Sequence, residues 1–207
     1  MNVVQDSGYS RPIVDTSPSQ PRPRHSRSDV LAAALELLQN HGLAELTMRR
    51  LAGELGVQPS ALYWHVPSKQ ALLAELADRI VDRAETGHRD VLDLARALRR
   101  ALLSCRDGAE VVSSSLALGL GGLAAPERLT AAIHASGVDE ATARATAAIL
   151  VHQILGQVWH EQQRQTAEQL GVAVASAPDS TDDPEARVDL GVRLILAGLA
   201  NVRVPRG

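Results

Sequence analysis

Residues 47–69 read TMRRLAGELGVQPSALYWHVPSK, and this stretch limits what the chain can fold into more than any other part of it. Thr47 stands where a helix N-cap is expected, and Leu51, Ala52 and Leu55 then recur at helical spacing. Gly56 follows at the point where the chain must turn sharply, and Val57 supplies the small apolar plug of that turn. A second short helix, over 59–66, closes at Val66-Pro67. Two helices joined by a tight Gly-containing turn form a helix-turn-helix, whose second helix enters the DNA major groove in proteins that use it for recognition. The chain has no Phe, two Tyr and two Trp, and one of each, Tyr63 and Trp64, sit side by side on that second helix.

Composition agrees with an all-α chain. Of the 207 residues 45% are hydrophobic but only 2% aromatic, so the core must be built from Leu, Ala, Val and Ile, which favours helix packing over sheets. The single cysteine, Cys105, allows no disulfide within one chain and points to a reducing, cytoplasmic setting. No signal-peptide-like run is present, and nothing reaches the ~18 consecutive apolar residues of a membrane span, so no membrane partner is expected. The net charge of −3 is unevenly spread. From Arg22 to Leu72 there are six Lys or Arg against four Asp or Glu; from Leu73 onward there are 14 against 18. The first third is the basic part, and a local patch suffices to bind phosphates.

Residues 1–25, with Pro12, Pro18, Pro21 and Pro23 among Ser, Asp and Arg, read as a disordered basic arm. A first helix is expected over 27–41, with Ser28 as its cap, Val30, Leu31, Ala34, Leu35 and Leu38 as its apolar stripe, and Gly42 as its stop. The second and third are expected over 48–55 and 59–66. The fourth starts after Ser68, runs to Ala84 or beyond, and buries Leu72, Leu73, Leu76, Ile80 and Val81. Further helical patterns cover 90–105, a short segment to Ser115, 126–135 opened by Pro126, a long run from the cap Asp139 to Leu170, and 185–202. Gly119, Gly121 and Gly122 read as a flexible stretch, and 171–184 as a loop.

The N-terminal three-helix unit ending in Leu62-Tyr63-Trp64-His65-Val66-Pro67-Ser68-Lys69 resembles the TetR family of bacterial transcriptional regulators. Arg100-Ala-Leu-Leu-Ser-Cys-Arg-Asp-Gly-Ala109 and Glu161-Gln-Gln extend the likeness to the tetracycline-repressor branch over most of residues 27–202. The resemblance implies an all-α homodimer. Residues 26–72 would form the helix-turn-helix DNA-binding domain on a palindromic double-stranded operator. Residues 73–207 would form the larger domain, with the small-molecule pocket and the dimer interface.

The resemblance also implies site residues. Gln58, Pro59 and Ser60 would open the recognition helix, where Gln can pair with adenine and Ser with either base. Tyr63 and His65 would meet phosphate or sugar, Trp64 a base methyl or sugar face, and Thr47, Arg49 and Lys69 the phosphate backbone. The chain departs from the tetracycline branch where specificity lies: Gln58-Pro59 is displaced one place toward the N-terminus and Ala61 replaces a hydroxyl residue.

Aligned on Arg100–Ala109, Leu94, Val112, Leu116 and Glu85 stand where that branch holds tetracycline with an Asn, a magnesium-binding His, an Arg and a second His. Leu98 replaces a stacking Phe, Glu161 keeps its identity, and Ser115 and Trp159 complete the expected pocket. Without the imidazole the site cannot hold a divalent ion in the same way. The reading therefore excludes tetracycline–magnesium, calls for no metal or cofactor, and favours an apolar or amphiphilic effector. In the alternative reading the leucines close the pocket, and control passes to a protein partner or to the regulator's own concentration. For the effector-released reading, residues 107–115 and 119–122 form a mobile wall that lets the fourth helix pivot. An enzyme is not expected. His160-Glu161 lacks the second zinc-protease His, since Arg164 stands there; Gly119-Leu-Gly-Gly122 lacks the Lys-Ser/Thr of a phosphate loop; Cys105 reads as a small core residue.

Overall fold

The computed structural model describes residues 25–84, 87, 90–172 and 183–199, and among these the regular structure is entirely helical. In chain order the helices are α1 (Arg27–His41), α2 (Met48–Glu54), α3 (Pro59–Leu62), α4 (Lys69–Asp82), α5 (Val91–Leu103), α6 (Gly108–Ala117), α7 (Ala124–Ala135), α8 (Glu140–Gln169) and α9 (Pro184–Leu199). The expected arm over 1–25, all but one residue of it, lies outside the described residues, as do most of the loop over 171–184 and the end of the last helix past Leu199.

Local chemistry explains most of the boundaries, and several differ from expectation. Ser26, not Ser28, caps α1: its hydroxyl accepts from Asp29 N at 3.2 Å, and its own N–H donates to Asp29 Oδ2 at 2.7 Å. This reciprocal box satisfies two N-terminal donors at once. It also holds the Asp29 carboxyl below the ordinary range, through the hydrogen bond from the Ser26 backbone and then that from its side chain. Leu37 is buried and Leu35 only half-buried, because the face turned inward is rotated slightly from the one the spacing suggested. Leu73 is likewise half-buried. The second helix ends at Glu54, α6 runs two residues past Ser115, and α7 begins at Ala124, two residues ahead of Pro126. Thr47, Ser68, Asp90 and Asp139 each accept a backbone N–H at the start of α2, α4, α5 and α8.

One apolar cluster runs through the molecule, from Val30, Leu38 and Leu51 through Leu76 and Ile80 to Leu102, Leu150, Ile154 and Val192. α7 and α6 pack on α8, α5 lies against α8 and α9, and α4 lies against α6. The glycines expected to be flexible are instead a close-packing device. A Cβ on Gly121 would stand 2.4 Å from the Ala74 carbonyl oxygen of α4, so only glycine permits this approach. Gly122, at φ +75°, donates its N–H to Asp78 Oδ1 at 2.7 Å.

Candidate nucleic-acid interface and effector region

The helix-turn-helix is assembled from the turn outward. Gly56 takes φ +62°, and the N–H groups of Gly56 and Val57 donate to the carbonyls of Gly53 and Ala52 at 3.1 and 3.0 Å. Val57 thereby packs half-buried against the core. The third helix is shorter than expected, ending at Leu62 rather than Val66. The chain then wraps one further turn, with His65 N and Val66 N both donating to Leu62 O at 2.9 Å. Leu62 and Val66, one turn apart, are fully buried and pin the segment from below.

The expected DNA-contacting residues lie on the other side or beside it. Gln58 is the N-cap of α3 but makes no side-chain cap bond, so its amide is not spent on the helix; it is exposed, as is Ser60. Pro59 occupies the first helical turn, where its missing N–H costs nothing. Tyr63 is 51% exposed and Trp64 89% exposed, which removes Trp64 from the core. His65 and Lys69 are half-buried, and Arg49 is exposed. Thr47 accepts from Arg50 N at 3.1 Å, so its hydroxyl already serves α2; Arg50 itself is ion-paired with Glu45.

The residues expected to form an effector pocket are distributed over several places. Leu94 and Leu98 are buried beside a cavity of only about 10 Å³, walled by Val81, Ala84 and Leu129, room for one water at most. Val112 and Leu116 pack against Gly122, and Ser115 is buried with its hydroxyl unpartnered. Trp159 lines a separate groove of about 420 Å³ between α6 and α8, with Glu110, Ser113, His152 and Leu155. Glu161 pairs with Arg99 at 2.7 Å and borders a third cavity of about 510 Å³ between α8 and α9. Glu85 lies outside the described residues. Cys105 is fully buried, and burial pushes its thiol up to about 11, far from a reactive thiolate.

Two residues quoted above only within longer motifs or segments turn out to fasten helices together. Gln162, 7% exposed, donates its amide to the carbonyls of Cys105 and Leu102 at 2.8 and 3.2 Å and accepts from Ala109 N at 3.2 Å. It fastens the α5–α6 turn to α8. Its signal was available: it lies four residues after Val158 and seven after Leu155, on the stripe α8 buries. Asp107, at φ +55°, accepts from Leu43 N at 2.7 Å, and Arg106 N donates to Gln39 Oε1 at 3.0 Å. The same turn therefore grips the end of α1. No local pattern announces that contact, because its partners are more than sixty positions apart.

Comparison with known proteins accords with this architecture. Residues 30–76 match the model of bacterial regulatory proteins of the tetR family, and residues 83–181 that of the tetracyclin repressor-like C-terminal domain. The class A tetracycline repressor protein from transposon 1721 of Escherichia coli is 34% identical over 201 residues, covering 84% of this chain and 90% of that protein. The class D repressor of Escherichia coli is 43% identical over 97 residues, but this match spans only 42% of the chain and 44% of that protein. The crystal structure of Mycobacterium smegmatis BioQ superposes with a TM-score of 0.77 at 39% identity, covering 86% of this chain and 99% of that one. BioQ bound to its double-stranded DNA operator superposes with a TM-score of 0.72 at 38% identity, covering 86% and 100%. Two matched models over both halves, and a relative matched along nine-tenths of its length, support one conclusion: this chain is a helix-turn-helix transcriptional regulator belonging to the TetR family.

Proposed function

We propose that the protein is a repressor that binds a palindromic DNA operator as a homodimer and leaves it when a small apolar or amphiphilic molecule binds. The observation that carries the DNA part is the exposed Tyr63-Trp64 pair, held outward by the buried Leu62 and Val66. A monomer gains nothing by showing water a whole indole; a groove of DNA gives it a sugar face or a thymine methyl to cover. In this reading Gln58, Pro59 and Ser60 read bases, while Thr47, Arg49, Tyr63, His65 and Lys69 engage the backbone. The dimer reading rests on α8 and α9. Ile149 on α8, and Leu190 and Leu194 one turn apart on α9, are more than half exposed, an apolar face without cover in one copy. Selection from random duplexes should enrich a palindrome, and sedimentation at micromolar concentration should give a dimer. Absence of any enriched palindrome would remove the repressor reading.

The effector part is supported by the apolar surroundings of Leu94, Leu98, Val112, Ser115 and Leu116, and by the α6–α8 groove at Trp159. One observation favours the alternative. The interior beside Leu94 and Leu98 is closed to about 10 Å³, whereas small-molecule sites occupy ~300–1,000 Å³. A protein partner, or the regulator's own concentration, would then set its occupancy of DNA. A thermal-shift screen of apolar compounds separates the two readings. A true effector at a hundred times its Kd stabilises the state it prefers by about 2.7 kcal/mol.

A further inference from the structure

Resting on the effector-released reading above, we propose that the effector is a monoanionic amphiphile, a carboxylate on an apolar body, whose head group takes Arg128 of α7 away from the end of α4. The small cavity beside Leu94 and Leu98 points to that class. Its wall is otherwise apolar and buried, with Val81 and Ala84 at the end of α4 and Ala125 and Leu129 on α7. Arg128 is the exception: among the described residues it is the one charged side chain on that wall. Its guanidinium is engaged by the last turn of α4. Nη1 donates to the Val81 carbonyl at 3.3 Å, and Nη2 donates to Asp82 Oδ1 at 3.1 Å. The Val81 carbonyl belongs to the C-terminal acceptors of that helix, where a cation is favoured.

Head group, cavity and α4 are thereby tied together. The closed cavity of about 10 Å³ admits no effector. It opens when the end of α4, with Val81 and Ala84, parts from Leu94 and Leu98 of α5 and Leu129 of α7. The Arg128 bonds hold that same seam shut, so a ligand that takes the guanidinium loosens the end of α4 as its tail enters. A carboxylate suits this exchange because it accepts a guanidinium through two parallel hydrogen bonds. The competing Asp82 side chain is 65% exposed, so water screens its hold on Arg128. A ligand carboxylate seated against apolar walls is screened less. The charge follows from the same pair. One guanidinium balances one negative charge, and Asp82 beside it repels a dianion more than a monoanion. A cationic head group meets Arg128 as a like charge, and a neutral one leaves Asp82 its partner. The carboxylate prefers the opened state, because the closed one has no room for its tail, and that preference is what shifts the population.

The probes are decanoate, decanol, decyl phosphate and decylamine, each added to the full chain below its micellar concentration. Calorimetric titration follows binding to the DNA-free protein. Anisotropy of a labelled duplex, the best palindrome that the wild-type protein enriches, follows release. Decanoate should bind most tightly of the four and release the duplex. Arg128→Gln should weaken decanoate at least about tenfold, the loss of a charge-assisted pair, and remove its advantage over decanol. Asp82→Asn keeps Arg128, removes its competitor and should tighten decanoate about threefold, so the test survives an Arg128 variant that fails to fold. Decanol or decylamine matching decanoate, or wild-type decanoate affinity in Arg128→Gln, would overturn the carboxylate assignment. Tighter binding of decyl phosphate would overturn the single charge. Unchanged or weaker binding in Asp82→Asn would overturn the exchange at Arg128, and decanoate that binds without releasing the duplex would overturn the link to α4. A wild-type protein that enriches a palindrome yet binds none of the four would overturn this inference alone. One that enriches no palindrome would overturn the operator reading and the release step with it, while calorimetry would still read the site.

Discussion

Trp64 and Gln162 show the two ways in which one side chain matters here. Trp64 is 89% exposed and supports no core, so Trp64→Ala should leave stability within about 0.5 kcal/mol of wild type by chemical denaturation. The same change should weaken operator binding at least about thirtyfold, the cost of losing a central aromatic anchor. Gln162 is the opposite case. Replacing it with Leu keeps the volume but removes three bonds: the carbonyls of Cys105 and Leu102 keep only their turn donors, Gly108 N and Cys105 N, and the N–H of Ala109 loses the Gln162 oxygen. A buried N–H left unpaired costs about 1–3 kcal/mol, so Gln162→Leu should lower the denaturation midpoint clearly. An unchanged midpoint would mean that water replaces the amide.

At the scale of elements, the contact between α4 and the segment joining α6 to α7 leaves no room for a side chain at Gly121. Gly121→Ala would place a methyl 2.4 Å from the Ala74 carbonyl oxygen, forcing the segment off α4. Overpacking of this kind costs about 1–3 kcal/mol. Gly119 has φ +65° but nothing within 4 Å of its built Cβ, so Gly119→Ala bears backbone strain alone. It should cost about 1 kcal/mol. Comparing the two by thermal melting separates close approach from conformation. If α4 transmits the effector signal, Gly121→Ala should also change operator affinity while Gly119→Ala does not. A pivot of α4 would have to carry or break the Gly122–Asp78 bond, so the glycines act as a coupling, where the sequence suggested slack.

Across the whole molecule, α9 is held to α5 by charge as well as by apolar packing. Arg96 donates from Nε to Asp189 Oδ1 at 2.9 Å and from Nη2 to Oδ2, and it lies 3.6 Å from Asp93. These hydrogen bonds from Arg96 hold the Asp189 carboxyl below its ordinary range. The sign follows: a depressed folded pKa stabilises the fold above the unfolded value near ~3.9, and that contribution is lost as pH falls from there through the folded value. Asp189→Asn should therefore lower the melting temperature at neutral pH and flatten its fall below about pH 4. On the outer side of the same helix, Leu194→Glu should shift the sedimentation equilibrium to monomer without unfolding the chain, since Leu194 is 64% exposed in a single copy. No helix among the described residues is long and apolar enough to cross a membrane, so that exposed face is not a membrane span.

What the sequence determined by itself was local. Caps, helical spacing and the Gly56 turn depend on neighbours within one or two turns, so α2, α4, α5 and α8 were legible to within a residue or two, as was the helix-turn-helix. The rotation of α1, the early end of α3 and the start of α7 were less so, because each is set by which face finds a partner. The candidate recognition residues were legible for the same local reason: Leu62 and Val66 bury one side of a short segment and leave Tyr63 and Trp64 on the other. The effector region was not. Whether Leu94 and Leu98 line a pocket or fill it depends on how α4, α5 and α7 close over them, which no residue spacing encodes. Packing alone placed Gln162 of α8 and the end of α1 on either side of the α5–α6 turn, brought Gly121 against α4, and set His25 beside Leu55 and the Gly56 turn. Those are contacts between residues far apart in the chain, where packing shape and buried hydrogen bonds choose the partner.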